Sequence, residues 1–342
     1  MNYLQLKKEI RQGQIKPVTF MYGTQSFLME DIIHDITRKS MSAEEAEVNI
    51  TSFSLVETPL EIIIEEAETV PFFGGKKLVI VKDFHLVSSQ KQDSKIEHEL
   101  QTFERYIENP VPETVLILMA PYEKLDERKK ITKLIKSHSV VVETNPFDEK
   151  MTEKWIDEQA QLKQFSFTIQ GKQRLMERQG TNLLMLASEI EKLSLFAGEG
   201  GRIDETIVDE LVARTLEQDV FELVNHAAKQ NISKALTIYH DLLKQKEEPL
   251  KILALLTRQF RIYYQVKELS RRAYSQKQIA SQLKLHPYVV KLAQGQVNRY
   301  EDRMLLSILS RAADTDYAIK RGAMDKVLAV ELFLISFAKQ QA

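Results

Sequence analysis

The chain has 342 residues, of which 43% are hydrophobic and 28% charged, with a formal net charge of −2. That length exceeds what one hydrophobic core usually serves, so two or three soluble domains are expected, and the apolar runs are too short to span a membrane. There is no cysteine, which excludes disulfides, thiolate zinc sites and cysteine nucleophiles and suits a reducing cytoplasm.

The charge is divided unevenly. Residues 217–342 carry 20 Lys+Arg against 13 Asp+Glu, a net +7, which leaves −9 for residues 1–216. A basic second half is a mild pointer to nucleic acid, and unevenly solvated helix faces give the same balance.

The opening MNYLQLKKEIRQG reads as a charged amphipathic helix and not as a signal peptide. VTFMYG (18–23) is a short apolar strand, and from Ser26 a helical pattern repeats through Phe27, Ile32, Ile33 and Ile36. VNITSFS (48–54) alternates like a strand. PLEIIIEEAET (59–69) opens with proline and places acidic residues early, as a helix start does. LVIV (78–81), TVLILMA (114–120) and VVVE (140–143) are unbroken apolar runs, as in strands covered on both faces, with helical patterns at 93–108 and 124–137 between them. Strand and helix in this alternation give a doubly wound parallel sheet.

Asn145-Pro146 punctuates the end of that domain. Beyond it the strand signals stop. Residues 150–212 read as a small helical domain, including Thr181 to Phe196, closed by the glycines of GEGGR (198–202). Helices are then expected over 219–230, 233–244, 249–272, 275–283, 286–297 and 303–339, the last broken near Gly322. The domains expected are therefore 1–145, 146–213 and 214–342: an α/β domain followed by two all-helical domains.

A parallel sheet followed by a small helical domain is the outline of an AAA+ P-loop ATPase, and that outline makes chemical demands. A glycine-rich loop ending in Gly-Lys-Ser/Thr should follow the first strand. Here 22-YGTQSFLMED-31 has one glycine, no lysine, and the bulky Phe27 and Leu28 where phosphate would sit. A metal-holding strand should end in Asp-Glu, yet LVIVKDFH ends in a single Asp83. TVLILMA ends in Ala120-Pro121, with nothing to sense a γ-phosphate. The sheet is P-loop-like but degenerate, and no nucleotide, metal or other cofactor and no catalytic activity are expected. The seven histidines fall in no ligand spacing, no G-x-S-x-G elbow occurs, and the paired glutamates read as solvated faces.

Three stretches remain to be explained. In 70-VPFFGGKKLVIVKD-83, a strand through Phe72 and Phe73 would send their rings to opposite faces, and the two glycines that follow argue for a loop. The rings either cap their own domain's core or are held outward for a partner. Next, 275-SQKQIASQLKLHPYVVKLAQ-294 has the outline of a helix-turn-helix that would offer Tyr288, Lys291 and Gln294 to DNA, although any two short packed helices give this pattern. Finally, 258-RQFRIYYQVKELSRR-272 interleaves Arg258, Arg261, Lys267, Arg271 and Arg272 with Phe260, Tyr263 and Tyr264. Its simpler reading is an amphipathic helix with aromatic core and solvent-facing or paired cations; the alternative is nucleic-acid contact.

In order and spacing, 20-FMYGTQSFLMEDI-32, 70-VPFFGGKKLVIVKD-83, 125-LDERKKITKLI-135, 182-NLLMLASEIEKLSLFAG-198, 252-ILALLTRQFRIYYQVKEL-269 and 314-DTDYAIKRGAMDKVLAVELFLI-335 resemble the delta subunits of bacterial DNA polymerase III clamp loaders, in the Gram-positive form. The resemblance covers essentially the whole chain. It implies a degenerate AAA+ module, a lid and a collar that joins motor and delta-prime subunits in a hetero-pentamer. It implies further that the chain binds and opens the sliding clamp, the beta subunit, in the presence of primer–template DNA. Carried onto this sequence, the apolar plug for the clamp is Val70, Phe72 and Phe73, supported by helix 59–69. Arg258, Arg261, Lys320 and Arg321 are the candidates for DNA contact. The readings left beside it are a helix-turn-helix regulator and a divergent ATPase.

Overall fold

The computed structural model describes residues 1–71, 74–90, 96–229 and 231–339, in two compact units, Met1–Phe147 and Asp148–Ala342. Phe72 and Phe73, the central pair of the proposed plug, lie outside the described residues.

The first unit is built on five parallel strands: β1 (Val18–Tyr22), β2 (Ile50–Ser54), β3 (Lys77–Lys82), β4 (Thr114–Ala120) and β5 (Val140–Glu143), in the order β2-β3-β4-β1-β5. Phe20 lies beside Leu118, and Val79 beside Leu116. All seven residues of β4 are buried, because helices cover both faces; this is why these strands read as unbroken apolar runs and do not alternate. The helices are α1 (Tyr3–Arg11), α2 (Ser26–Ser40), α3 (Ala43–Asn49), α4 (Leu60–Glu68), α5 (Leu100–Glu108) and α6 (Lys130–His138). On one face Phe20, Val79, Val81 and Leu118 pack with Leu60, Ile63, Ile64, Phe84 and Phe103. Helix α1 is fastened to α2 by the buried ammonium of Lys7, 2.7 Å from Asp31 and 2.6 Å from Asp35.

Three boundaries differ from the sequence expectation, each for a local reason. Residues 43–49, expected in part as strand, form α3, whose Ser42–Glu45 capping box was legible in the sequence but passed over. Helix α5 begins at Leu100, after the Glu99 N–H has been taken by the Glu61 carboxylate at 3.1 Å. Helix α6 begins at Lys130 and not at 124, because Asp126 folds back on its neighbours. Its carboxylate accepts the Arg128 N–H (3.1 Å) and its N–H reaches the Val87 carbonyl (2.8 Å), a turn that competes with helix.

The second unit contains α7 (Glu149–Leu162), α8 (Ile169–Gln179), α9 (Leu183–Ala197), α10 (Glu205–Leu211), α11 (Leu216–Ala228), α12 (Ile232–Lys244), α13 (Pro249–Arg271), α14 (Gln276–Leu283), α15 (Pro287–Val297), α16 (Asp302–Lys320) and α17 (Lys326–Lys339). Asp148, Thr168, Asn182, Asp204, Thr215, Asn231 and Ser275 each accept a backbone N–H at a helix start. Trp155, Leu186, Ile190 and Leu193 are buried among the first of these helices. A second, larger cluster from Val220 to Leu334 is centred on α13. One feature departs from all-helical: β6 (Ser166–Phe167) and β7 (Arg202–Ile203) pair in parallel, a ladder too short to leave a periodic signal. The fold class is otherwise the expected one, a parallel α/β unit followed by helices. Among the described residues no helix is long and apolar enough to cross a membrane.

Candidate functional site

Helix α4 returns from the end of β2 to the start of β3, so the turn at 70–76 sits at the edge of the sheet where the strands begin. Pro59 opens the helix; Leu60, Ile63, Ile64 and Ala67 bury one face while Ile62 is exposed on the other. Thr69 ends it, its N–H and its hydroxyl both reaching the Glu66 carbonyl (3.2 and 2.9 Å). The next side chain, Val70, is 80% exposed, and Pro71 is buried. Gly74 and Gly75 have φ of +74° and +76°. A Cβ on Gly74 would meet nothing within 4 Å, so it is the left-handed backbone and not crowding that calls for glycine. The turn is thus exposed at every described position except Pro71.

The opposite edge carries the turn between β1 and α2, where a nucleotide-binding α/β protein offers free backbone N–H groups to phosphate. Three of those groups are engaged within the chain. Gly23 N–H donates to the Ala120 carbonyl (3.1 Å), Gln25 N–H to Thr144 (2.9 Å) and Leu28 N–H to Gln25 (3.1 Å). A Cβ at Gly23 would fall 2.3 Å from the Thr144 carbonyl carbon, so the backbones of β1 and the β5 exit are in direct contact. Leu28 is buried beneath. Asp83, at the end of β3, accepts the Ser54 hydroxyl at 2.6 Å. Tyr22 donates to Glu143 (3.4 Å), and burial, then Glu143, hold its hydroxyl pKa above the ordinary value.

The helix-turn-helix reading fails on geometry. Its Ser275 cap and the two helices α14 and α15 are present, but the reading side chains are used within the fold. Tyr288 is buried, with its pKa pushed up to about 12 by burial and by Glu177 and Glu149. Lys291 grips Glu149 at 2.7 and 2.8 Å, and Gln294 reaches the Ser270 hydroxyl (3.4 Å). His286 caps α15 by accepting the Tyr288 N–H (3.2 Å) and stands 3.2 Å from the Thr181 hydroxyl.

The four candidate DNA contacts form two pairs. Arg258 and Arg261 are exposed on α13 and are in no ion pair among the described residues. Phe260 and Tyr263 of the same helix are core, and Lys267 and Arg271 are paired with Asp302. Lys320, at the end of α16, is bound to Asp316 at 2.8 Å, and Arg321 lies 5.2 Å over the Tyr317 ring. Among the described residues no group of His and acidic side chains could hold a metal ion.

The sequence family described as “DNA polymerase III, delta subunit” matches residues 20–145, and “DNA polymerase III delta subunit, C-terminal domain” matches residues 217–337. The DNA polymerase III subunit delta of Bacillus subtilis (strain 168) is 39% identical over 333 residues, covering 97% of this chain and 96% of the relative. The chain belongs to the DNA polymerase III delta subunit family. A solved structure of the Bacillus subtilis DNA clamp loader delta protein superposes with a TM-score of 0.84 at 39% identity, covering 98% of this chain and 99% of that one.

In this delta-family chain, sequence reasoning missed two side chains around α4. His98 accepts the Leu60 N–H at 3.3 Å, capping the start of the helix from a distant loop. Burial first, and then His85, hold its pKa below the ordinary value. Lys77 is the other: the second lysine of GGKK looked like a solvated charge and is 6% exposed. Its place as the first residue of a covered strand was the available signal.

Proposed function

We propose that this delta-family chain is a non-catalytic clamp-loader subunit that grips the sliding clamp and opens one of its interfaces for loading on primed DNA. The observation that carries the reading is Val70, 80% exposed at the tip of a braced helix and followed by a glycine turn. In the proposed mechanism Val70, Phe72 and Phe73 enter a crevice on the clamp. Burying each ring is worth roughly 1.5–3 kcal/mol, and neighbouring aromatics in a desolvated pocket behave as a hot spot. Helix α4, packed on the sheet through Leu60, Ile63 and Ile64, transmits the thrust that favours the open ring. The absent phosphate-loop lysine and the engaged N–H groups of Gly23, Gln25 and Leu28 support a chain that neither binds nor hydrolyses ATP, so the energy comes from motor subunits in the same assembly.

The division into a clamp-binding domain (1–145), a lid (146–213) and a collar (214–342) belongs to the same proposal, as does a cytoplasmic hetero-pentamer with motor and delta-prime subunits around primer–template DNA. One family match ends at 145 and the other starts at 217, which favours these limits. Titration of a purified sliding clamp tests the function. Phe72→Ala with Phe73→Ala should weaken binding at least a hundredfold, a few kcal/mol, with the circular dichroism unchanged. Equal affinity of native and variant protein would end the assignment.

A further inference from the structure

We infer that Lys77 is a positioning residue that clips the two ends of the 70–76 turn together and holds Val70 ready to dock, an inference resting on the clamp-binding function proposed for this turn. Lys77 opens β3, yet its ammonium is directed back at the end of α4. It donates to the Glu66 carbonyl at 2.9 Å and to the Thr69 hydroxyl, and pairs with the Glu66 carboxylate at 2.5 Å. An ammonium has three donors, and the last turn of α4 takes all of them. The same Glu66 oxygen accepts the Thr51 hydroxyl from β2 at 3.3 Å. One buried charge therefore joins the residue before the turn, the residue after it and the neighbouring strand.

Stability alone does not call for such a cluster. Desolvating an ammonium is unfavourable, and an apolar pair of similar volume serves a core as well or better. The next residues of β3, Leu78 to Val81, are all apolar and buried. Nor is the clip needed to seat α4, since Thr114 of β4 donates to the Ala67 carbonyl at 2.8 Å independently of it. What three converging, directional bonds add is a single geometry for the ends of the turn. Glycine loses the most backbone freedom on ordering, so at Gly74 and Gly75 the turn gains from restraint at its ends. Fixing its ends enlarges the fraction of molecules ready to bind, which raises the apparent affinity through the association rate.

The test uses the full chain, a purified sliding clamp and two variants: Lys77→Met, and Glu66→Leu with Lys77→Met, which keeps a packed apolar pair if the lone carboxylate disturbs folding. Association and dissociation rates are measured by stopped flow, and amide exchange is followed along the chain. The inference predicts about tenfold slower association with unchanged dissociation, and faster exchange confined to residues 69–77. Native association rates in both variants would overturn it, as would exchange that spreads through β3 and β4. Phe72→Ala with Phe73→Ala serves as the control. If that control binds weakly while the Lys77 variants bind normally, only the role of Lys77 is lost. If the control binds like the native protein, the clamp-binding function falls and this inference with it.

Discussion

Val70→Ala separates binding from folding more cleanly than any other single substitution here. The valine is 80% exposed, so the free protein loses almost nothing when both γ-methyl groups are removed. In a clamp crevice the same groups would be buried, and at about 0.8 kcal/mol per carbon their loss amounts to about 1.5 kcal/mol, or roughly tenfold in Kd. Ile63, on the helix that supports the turn, is fully buried and gives the opposite result. Ile63→Ala should cost about 2–5 kcal/mol of unfolding free energy. Calorimetric titration against the sliding clamp and urea denaturation of both variants measure the contrast. If Val70→Ala binds as the native protein does, or if its denaturation midpoint falls as far as that of Ile63→Ala, the reasoning from exposure is refuted.

Titration with labelled ATP and magnesium should show no saturable binding, because the β1–α2 turn lacks the phosphate-holding lysine and the N–H groups of Gly23, Gln25 and Leu28 are already engaged; a saturable isotherm would restore the ATPase reading. The folded pKa of His98 lies below its ordinary 6.5, so the unfolded chain takes up its proton first as pH falls. Stability should therefore decline from about pH 6.5 downward until the folded histidine also titrates, and His98→Gln should flatten that part of the decline in urea midpoints taken between about pH 7.5 and 5.5. A native slope in the variant would remove His98 from the account. Arg258→Gln with Arg261→Gln should leave the melting temperature unchanged, since both side chains are exposed and in no ion pair among the described residues. In the assembled loader it should reduce the slope of log K against log salt for primed DNA by about 2. An unaltered slope would return both arginines to an ordinary solvated face.

The sheet was legible because strands covered on both faces carry unbroken apolar runs, as β3 and β4 do, and such runs survive any register. The long helices were legible for the related reason that α13 repeats Ile252, Leu256, Phe260 and Tyr263 toward one core. Boundaries set by a single side chain were not. The Asp126 turn that delays α6 and the Glu61 carboxylate that meets residue 99 are interactions of individual groups, without period. The degenerate cradle could be read directly, since absent residues are visible in a sequence. Its contacts among Gly23, Gln25, Ala120 and Thr144 join strands about 97 and 119 residues apart in the chain, which no local pattern connects. Tyr288 and Lys291 looked available for DNA because two packed helices have the same outline whether their outer face meets solvent or Glu149. Lys77 was hidden for a different reason: a charge beside a glycine turn reads as solvated unless its acceptors, supplied here by Glu66 and Thr69 on the preceding helix, are known to converge on it.

Photo-cross-linking in the assembled loader puts the docking claim to its most direct test. A benzophenone side chain placed at position 73, and in a second sample at position 70, reports whatever lies within its reach. Docking of this turn predicts a covalent adduct with the sliding clamp from both positions, lost when the clamp is omitted. Adducts formed only within the same chain, with the clamp present and bound, would contradict it.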